Sequence, residues 1–293
     1  MAGQSLVTNV AELIPEITLA VDLIYQDQSL GRALVTYQDV SGQPGVTVEF
    51  PRFTEVVGST SAAEGTAPAS HQMDLSMPTL TIAKRAVYVQ LSDLAQKGAT
   101  GNLAQQIGEA MGLAMVKMID ASIFGIVTAT TNWTTGTGAT NAALNLSHIQ
   151  DGLNLLEKNE VTDQVFGVVH PHQWKSVRAV FSPVTTATNS TAITIGNVVS
   201  DAILAAGMGN FYGIDWFKSN RIGSGTVTAT ASVYNGLLFS RRGIGFAFSY
   251  LKEAGIEIDR QAAAAYDDLV MNWGDSAGVI YDSAVCKLYS TSS

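Results

Sequence analysis

The sequence predicts an α+β protein, and three observations support this fold class. Two stretches with alternating apolar and polar residues, at 45–50 and 80–91, flank a long segment of small and polar residues. Apolar residues then recur at helical spacing from 102 to 125, which predicts one long helix. From residue 231 onward, strand-like stretches alternate with turn residues, which predicts a β-rich C-terminal part.

The composition indicates a protein that covers much of its surface with partners. The chain has 293 residues, of which 46% are hydrophobic and 14% are charged. Soluble proteins usually carry about 25% charged residues, and the cores of protein interfaces are depleted in charge. The low charge content therefore predicts assembly. The alternative is a monomer with a neutral surface rich in Ser, Thr and Asn.

The charge balance argues against one class of function. The formal net charge is −9, and the chain has no run of Lys and Arg. Tight, sequence-independent binding of nucleic acid requires a basic patch that neutralises phosphates. We therefore expect no tight nucleic-acid binding, although such a chain can line a container that encloses nucleic acid.

The sequence predicts neither a disulfide nor a membrane segment. Cys286 is the single cysteine, so an intrachain disulfide is excluded, and a reducing compartment is compatible with this. The first residues have no positive segment followed by an apolar one, so we expect no secretory signal. The apolar stretch at 103–127 contains polar residues that argue against a membrane span. They are Gln105, Gln106, Glu109, Lys117 and Asp120.

Residues 1–44 form a predicted N-terminal arm. Four apolar residues recur at helical spacing in this segment, so we expect an arm or an edge helix with one apolar face. No heptad pattern is present in the chain, so no coiled coil is predicted. The apolar residues of the arm are Leu13, Ile17, Val21 and Ile24.

Residues 45–92 comprise two predicted strands that hold an extended loop at about 50–80. After Val57 the loop has hardly any large apolar side chain, so it cannot bury much of itself. A loop of this length inside a domain is usually functional or disordered. The apolar residues that share a strand face are Val46, Val48 and Phe50 on the first strand, and Val87, Val89 and Leu91 on the second.

Residues 93–144 contain the predicted long helix, a rod of roughly 34 Å at 1.5 Å per residue. Asn102 is the predicted N-cap with Gln105 as its partner, and Gly125 ends the helix. Two glycines and several alanines flatten part of its surface, which favours close packing against another backbone. The glycines are Gly108 and Gly112, and the apolar face comprises Leu103, Ile107, Met111, Ala114 and Met118.

Residues 145–235 form a predicted α/β block with its own core. Ser147 is the predicted cap of its first helix, VFGVVH is typical of a buried strand, and the next helix begins at Pro171. Residues 236–293 are predicted strands that pair with the N-terminal strands in a sheet along the long helix. The core residues of the first helix are Ile149, Leu153 and Leu156.

The carboxylates and the cysteine give no indication of catalysis. Asp267, Asp268 and Asp275 could supply an acid–base pair, but they lie between predicted strands, where Asp is common in turns. Cys286 lies in an alternating strand pattern, which favours a small core residue. The chain has no phosphate-binding glycine motif and no nucleophile elbow. We expect no enzymatic activity and no cofactor.

His170 and His172 are the best candidates for metal ligands. A zinc site needs further ligands at suitable spacing, and the sequence does not place any near this pair. The alternative interpretation is that the two histidines flank the end of a strand and the start of a helix. This second interpretation is the one we expect, so no metal site is predicted.

The order of these parts resembles the major capsid protein of tailed bacteriophages. Local stretches support the resemblance: the Glu64–Gly65 pair in the extended loop, MIDASIFG at the end of the long helix, LNLLEKNEVTDQVFGVVHPHQWKSVRA, and YGIDWFKSNRI. The resemblance covers nearly the whole chain. It implies the Johnson fold, first seen in a Hong Kong phage capsid. That fold has an N-terminal arm, an extended β-hairpin loop, a long spine helix with a peripheral β-sheet, and an α/β axial domain.

The resemblance also implies where subunits touch. The loop at about 50–80 would lie across a neighbouring subunit, where its few apolar groups become buried. Arg241 and Arg242 could pair with an acid of a neighbour or lie in water, and the sequence leaves both interpretations open. The candidate contact residues are Phe50, Arg52, Phe53, Glu55, Glu64, His71, Arg241 and Arg242. The predicted core of the spine helix is Leu103, Ile107, Met111 and Met118.

By the same resemblance, the chain is a structural subunit of an icosahedral capsid. It would form pentamers and hexamers around double-stranded DNA that is enclosed but not tightly bound. Further expected partners are portal, scaffolding or decoration proteins, and the expected location is the virion after assembly in the host cytoplasm. Some members of the family cross-link through a lysine of the extended loop. No Lys precedes Lys84 in this chain, so we expect no isopeptide cross-link.

Other functions remain open at this point. An encapsulin-type nanocompartment shell shares the fold and encloses an enzyme, so the content of the particles distinguishes it from a capsid. A hydrolase with a lid-like hairpin would need a catalytic constellation, which the sequence does not provide. A phage tail-tube protein would not need the long helix.

Overall fold

Two β-sheets and one long helix organise the chain. The computed structural model describes residues 17–21, 24, 29–53, 65, 75–93, 103–128, 143–181, 209–228, 231–251 and 256–291. The helices are α1 (Leu30–Leu34), α2 (Leu103–Gly125), α3 (Leu146–Lys158) and α4 (Pro171–Phe181). Residues 17–21 and 24 are also helical.

Fifteen strands are described. They are β1 (Thr36–Asp39), β2 (Thr47–Glu49), β3 (Arg52–Phe53), β4 (Leu75–Ser76), β5 (Thr79–Thr81), β6 (Ala83–Ser92), β7 (Val165–Val169), β8 (Asn210–Phe211), β9 (Ile214–Lys218), β10 (Ser224–Thr228), β11 (Ala231–Ser240), β12 (Ile244–Tyr250), β13 (Ile256–Gln261), β14 (Tyr266–Val279) and β15 (Val285–Thr291). Short 3₁₀ turns occupy Ile126–Thr128, Arg241–Gly243 and Asp282–Ala284.

The first sheet, which we call the spine sheet, consists of β1, β6, β12, β13 and β14. The long strand β14 lies at its centre, with β6 antiparallel on one side and β12 and β13 antiparallel on the other. β1 joins the edge of β12 in parallel. α2 packs against this sheet in one hydrophobic core. The predicted sheet along the long helix is therefore confirmed.

The buried face of α2 differs in part from the predicted one. Met111 is fully buried as expected, but Ile107 and Met118 are only partly buried, and the side chain of Leu103 lies outside the described residues. The reason is that α2 is apolar on most of its circumference. The spacing of its apolar residues alone therefore does not predict which face is buried. The fully buried residues of α2 also include Met115, Val116, Ile119, Ile123 and Phe124.

The glycine face of α2 receives the N-terminal helical residues. A Cβ on Gly108 would lie 2.8 Å from the Cβ of Ala20 and 3.0 Å from the carbonyl oxygen of Ile17. A Cβ on Gly112 would lie 3.1 Å from the Cβ of Ile24. The predicted close approach of another backbone is confirmed, and only glycine leaves room for it.

The second sheet, which we call the α/β sheet, consists of β7–β11 and β15. β11 pairs with β15 on one side and with β7 and β10 on the other, and β7 pairs in parallel with β9. α3 lies so close to this sheet that a Cβ on Gly152 would be 2.8 Å from Leu238 Cδ1. This block has its own apolar core, as predicted.

The expected boundary at residue 236 does not match the two sheets. β11 runs through this position, and β15 returns to pair with it from Val233↔Thr291 to Phe239↔Val285. β15 therefore belongs to the α/β sheet rather than to the sheet along the helix. The cause is pairing between distant segments, because β15 has the same alternating pattern as the strands of the spine sheet.

The predicted cap of α3 is wrong by two residues. Asn145 is the N-cap, and its Oδ1 accepts a hydrogen bond from the backbone N of His148 at 3.0 Å. The hydroxyl of Ser147 donates to the same oxygen at 2.7 Å. Asn and Ser are both good caps, so composition alone does not choose between them. The predicted start of α4 at Pro171 is confirmed.

Candidate assembly interface

The two arms of the extended loop form an antiparallel hairpin. β2 pairs with β5 at Thr47↔Thr81, and β3 pairs with β4 at Phe53↔Leu75. The midpoint of both pairs is residue 64, so the register does not change along the described part of the hairpin. Gly65 has a φ of 83°, a left-handed conformation that glycine adopts readily in turns.

The foot of the hairpin is anchored in the chain's own core. Val48 and Leu80 are buried against Ala247 and Ile280 in a small separate cluster. Phe50 belongs to the same cluster and is only 4% exposed. The ring of Phe50 is thus covered within its own subunit, which leaves little of its surface for the expected contact with another subunit.

Other apolar side chains of the same region remain uncovered. Val46 is 63% exposed, and Leu75 and Met77 are each 47% exposed. Leu75 belongs to the strand pair that leads out of the foot, and Met77 lies directly below that pair. The hairpin thus exposes apolar surface that its own subunit does not cover. This exposed surface is a candidate contact surface.

Arg52 lies at the foot of the hairpin and contacts the end of β14. Its Nη1 donates a hydrogen bond to the carbonyl oxygen of Ile280 at 3.3 Å. Its guanidinium carbon lies 5.7 Å from the ring centroid of Tyr281, and that of Arg242 lies 6.0 Å from the same centroid. The two arginines therefore share one aromatic ring.

Arg241 and Arg32 lie beside this pair and line a surface cavity. Arg241 Nε donates to the carbonyl oxygen of Val35 at 3.4 Å, and the guanidinium of Arg32 lies 4.4 Å from the ring centroid of Tyr37. The cavity between them has a volume of about 510 Å³ and is also lined by Ser29 and Ala33. We call Arg32, Arg52, Arg241 and Arg242 the arginine cluster.

Two carboxylates accompany the arginine cluster. Asp163 forms an ion pair with Arg242 at 3.0 Å, and both side chains are about half exposed. Asp39 lies near Arg32. Burial raises the pKa of Asp39, but hydrogen bonds from Ser41 and the charge of Arg32 outweigh this, so its pKa is lowered overall. The carboxyl of Asp39 is therefore charged at neutral pH.

Three of the predicted contact residues are thus brought together, namely Arg52, Arg241 and Arg242. Arg241 and Arg242 are exposed, and each also contacts its own subunit. Phe53 lies in β3, but its side chain is outside the described residues. Glu55, Glu64 and His71 also lie outside the described residues.

Comparison of the chain with known proteins shows the family to which it belongs. The family model described as "Phage capsid protein" matches residues 76–286, well over half of the chain. The chain belongs to this family. No curated protein sequence matches the capsid protein significantly.

Solved structures agree with the family assignment at the level of the fold. A structure titled "Mycobacterium phage Che8" has a TM-score of 0.67 at 16% identity, and covers 89% of this chain and 91% of its own. The capsid of Ralstonia phage GP4 has a TM-score of 0.64 at 10% identity, with 88% and 87% covered. A virus-like particle from Pyrococcus furiosus has a TM-score of 0.54 at 10% identity, with 94% and 98% covered.

The family and the fold together answer the question of function class. The chain is a structural capsid subunit rather than an enzyme, and its place is the virion. The predicted resemblance to the major capsid protein of tailed phages, with its Johnson fold, is confirmed.

The acidic residues of the capsid protein that suggested an acid–base pair have structural partners. Asp267, Asp268 and Asp275 lie within β14, not in turns as predicted. Arg85 Nε lies 3.2 Å from Asp275, and Arg260 lies 3.1 Å from Asp267. These arginines stand on the neighbouring strands β6 and β13, so Asp267 and Asp275 are held in ion pairs across the sheet. Asp268 accepts a hydrogen bond from the hydroxyl of Tyr88 on β6.

The two candidate metal-binding histidines stack on an aromatic ring instead. The ring centroids of His170 and His172 lie 4.6 Å and 4.3 Å from that of Tyr234. His170 Nε2 lies 2.9 Å from Asn220 Oδ1. Burial lowers the pKa of His170, which favours the neutral ring. No group of three or more metal-ligating side chains occurs among the described residues.

The long helix is apolar enough to cross a membrane by length and composition, since the stretch Gln106–Thr128 passes both criteria. In the 18-residue window that meets the composition criterion, 56% is buried inside the protein. Its buried residues Met111, Ile119 and Ile123 pack in the core against the spine sheet. This is the environment of a core helix.

Sequence reasoning missed a buried acid that joins three segments. Asp120 on α2 is 1% exposed. It accepts hydrogen bonds from Ser29 Oγ at 3.3 Å and from the backbone N of Gly31 at 3.0 Å, and it forms an ion pair with Arg221. The signal in the sequence was a single acid on an otherwise apolar helix face.

The charge state of Asp120 reflects two opposing effects. Burial raises the pKa of its carboxyl above the ordinary value of 3.8. Hydrogen bonds from Gly31, Arg221 and Ser29 and the charge of Arg221 lower it, but they offset only part of the effect of burial. Asp120 therefore fastens the N-terminal segment and the turn after β9 to the spine helix at some electrostatic cost.

Proposed function

We propose that this capsid protein assembles into pentamers and hexamers of a closed icosahedral shell, which encloses double-stranded DNA. The observation that carries the proposal is the hairpin. Its foot is buried in its own subunit, whereas the described residues above the foot leave Leu75 and Met77 exposed. A second copy supplies the surface that covers them.

The reach of the hairpin supports a role between subunits. The chain has 21 residues between Phe53 and Leu75. Half of that segment, fully extended at about 3.4 Å per residue, spans about 36 Å, which is about the diameter of a small domain. The segment is therefore long enough to contact a neighbouring subunit.

The two sheets have different places in this shell. The α/β block, now including β15, corresponds to the axial domain that meets at the centres of pentamers and hexamers. The spine helix and the spine sheet form the peripheral domain. Assembly takes place in the host cytoplasm, with portal, scaffolding or decoration proteins as further partners.

The charge of the chain suits a wall that does not hold DNA. A net charge of −9 repels the phosphates of packaged DNA, which would otherwise bind a basic inner surface and release condensed counterions. We therefore propose enclosure of the DNA without tight binding.

Deleting residues 58–70 tests the role of the hairpin. The truncated protein should fold, because the buried foot at Val48, Phe50 and Leu80 is retained, but it should form no closed shells in negative-stain micrographs. A matched control replaces 58–70 by a Gly–Ser segment of the same length. It should also fail, because it keeps the reach and removes the contacts. Intact shells from the deletion variant would overturn the role of the hairpin.

The content of the particles distinguishes a capsid from a nanocompartment. Particles purified from infected cells should contain nuclease-protected double-stranded DNA. A protein cargo in place of DNA would support the encapsulin-type alternative, which uses the same fold.

A further inference from the structure

Four of the eight arginines of the chain lie in two pairs that the consecutive residues Arg241 and Arg242 connect, although Arg32 and Arg52 are far from them in the sequence. Arg32 and Arg241 line one cavity, and Arg52 and Arg242 share the ring of Tyr281. The four positions belong to α1, to the hairpin foot and to the turn after β11. The fold therefore creates this arginine cluster.

The elements that carry the cluster are held in place by backbone contacts. The hydroxyl of Thr36 donates to the carbonyl oxygen of Arg241 at 2.9 Å, and the backbone N of Ile280 donates to that of Gly243 at 2.9 Å. A Cβ on Gly243 would lie 2.7 Å from Val285 Cγ2, so the turn packs tightly on β15. Positions fixed in this way lose little conformational freedom when a partner binds.

Two arginines of the cluster form no ion pair among the described residues of this negative protein. Arg52 and Arg241 each donate to a backbone carbonyl, whereas Asp163 and Asp39 lie against Arg242 and Arg32. Taking these four positive charges away from the net charge of −9 leaves −13 for the rest of the chain. A second copy of the chain is therefore rich in the groups that this surface attracts.

We propose that the arginine cluster receives carboxylate side chains from a second copy of this chain. Arginine binds carboxylates through two parallel hydrogen bonds. Arg and Tyr are also the residue types that contribute most to interfaces, and here Tyr37 and Tyr281 lie under the guanidinium groups. This inference rests on the proposed shell assembly and names the chemistry of one contact within it.

A phosphate group of DNA would be a different partner for the same cluster. A phosphate backbone that follows the surface carries closely spaced charges and would meet Asp163, which pairs with Arg242 at 3.0 Å, whereas a single carboxylate can bind at Arg241 or Arg52 away from this acid. The arginines also form a compact group around two aromatic rings, whereas non-specific DNA binding uses an extended basic stripe. The observations therefore favour a protein carboxylate.

The experiment compares Arg241→Glu with Arg178→Glu, a matched reversal on the exposed side of α4. The measured quantity is the protein concentration at which light scattering reports shells. We expect Arg241→Glu to raise this concentration at least about tenfold, and Arg178→Glu to leave it unchanged. Arg241→Lys keeps the charge but loses the two parallel hydrogen bonds of a guanidinium group, so it should raise the assembly concentration less than Arg241→Glu does.

Salt dependence separates an electrostatic role from a purely structural one. Between about 50 and about 300 mM NaCl, screening should raise the assembly concentration of the wild type more than that of Arg241→Glu. If Arg241→Glu misfolds by circular dichroism, Arg241→Gln takes its place, because its amide can still donate to Val35. Arg241→Gln should also raise the assembly concentration and flatten the salt dependence.

The outcomes distinguish this inference from the proposed function. Wild-type protein that forms no shells contradicts the proposed function itself. Wild-type shells together with Arg241→Glu or Arg241→Gln shells at the same concentration overturn the inference and leave assembly standing. Variants that assemble normally but no longer retain a short DNA duplex assign the cluster to phosphate instead.

Discussion

Replacing Asp120 by Ala removes a buried carboxylate that connects the N-terminal segment, the spine helix and the turn after β9. The side chain of Asp120 is 2% exposed and that of its partner Arg221 is 30% exposed. Breaking a buried ion pair costs about 3–5 kcal/mol, and a buried donor left without its acceptor costs about 1–3 kcal/mol. Arg221 can turn toward water, whereas Ser29 and the backbone N of Gly31 are buried and lose their acceptor.

These contributions are not additive within one network. Because Arg221 can turn toward water, the full cost of a broken buried pair does not apply, and the two buried donors set the loss. We therefore expect Asp120→Ala to lower the free energy of unfolding by about 2–4 kcal/mol. Urea unfolding of unassembled subunits, followed by circular dichroism, measures this quantity without a contribution from shell contacts. The control is Asp151→Ala on the exposed side of α3, which should change the free energy by less than about 0.5 kcal/mol. A loss of less than about 1 kcal/mol for Asp120→Ala would refute the argument that this acid joins the three segments.

Further predictions concern the stability of the same subunit and the chemistry of its particles. The pKa of Asp120 is raised in the folded protein, so protonated Asp120 adds to the free energy of unfolding. This contribution is fully present at pH below 3.8 and is lost as the pH rises through the folded pKa. The cost of Asp120→Asn should therefore increase as the pH falls from 7 toward 4 in urea titrations, and a decrease would mean that the pair with Arg221 outweighs burial. Gly112→Val should destabilise the subunit by about 1–3 kcal/mol because the N-terminal helical residues pack on Gly112. The control Gly125→Ala has open space around its Cβ and should be neutral or slightly stabilising when both variants are compared by urea unfolding. Purified particles boiled in detergent should run as one monomer band, because no Lys precedes Lys84, and a ladder of larger bands would contradict the expected lack of cross-links.

Local patterns predicted the elements of this fold well. The period of apolar residues predicted α2, which the structure confirms as Leu103–Gly125. The alternation around Val48 and Val89 predicted the strands that hold the hairpin. Gly108 and Gly112 predicted a close backbone approach, because a run of small residues on one helix face has few other physical uses. Each of these signals lies within a short stretch of the chain.

The features that sequence reasoning missed depend on distant segments. β15 resembles its neighbours in sequence, so only pairing with β11, about fifty residues earlier, assigns it to the α/β sheet. Asp120 acts through Ser29 and Arg221, which are 91 and 101 residues away. The arginine cluster likewise brings together positions more than two hundred residues apart. The local patterns of a single sequence give no information on such contacts between distant segments.

The central claim is that the hairpin beyond its buried foot is covered only by another copy of the chain. Hydrogen exchange of the backbone amides between residues 54 and 74 tests this claim when it is measured on unassembled subunits and on closed shells of the same preparation. Our account predicts fast exchange in the subunits and strong protection in the shells, while amides of α2 are protected in both. Equal protection of the hairpin amides in both states would contradict it.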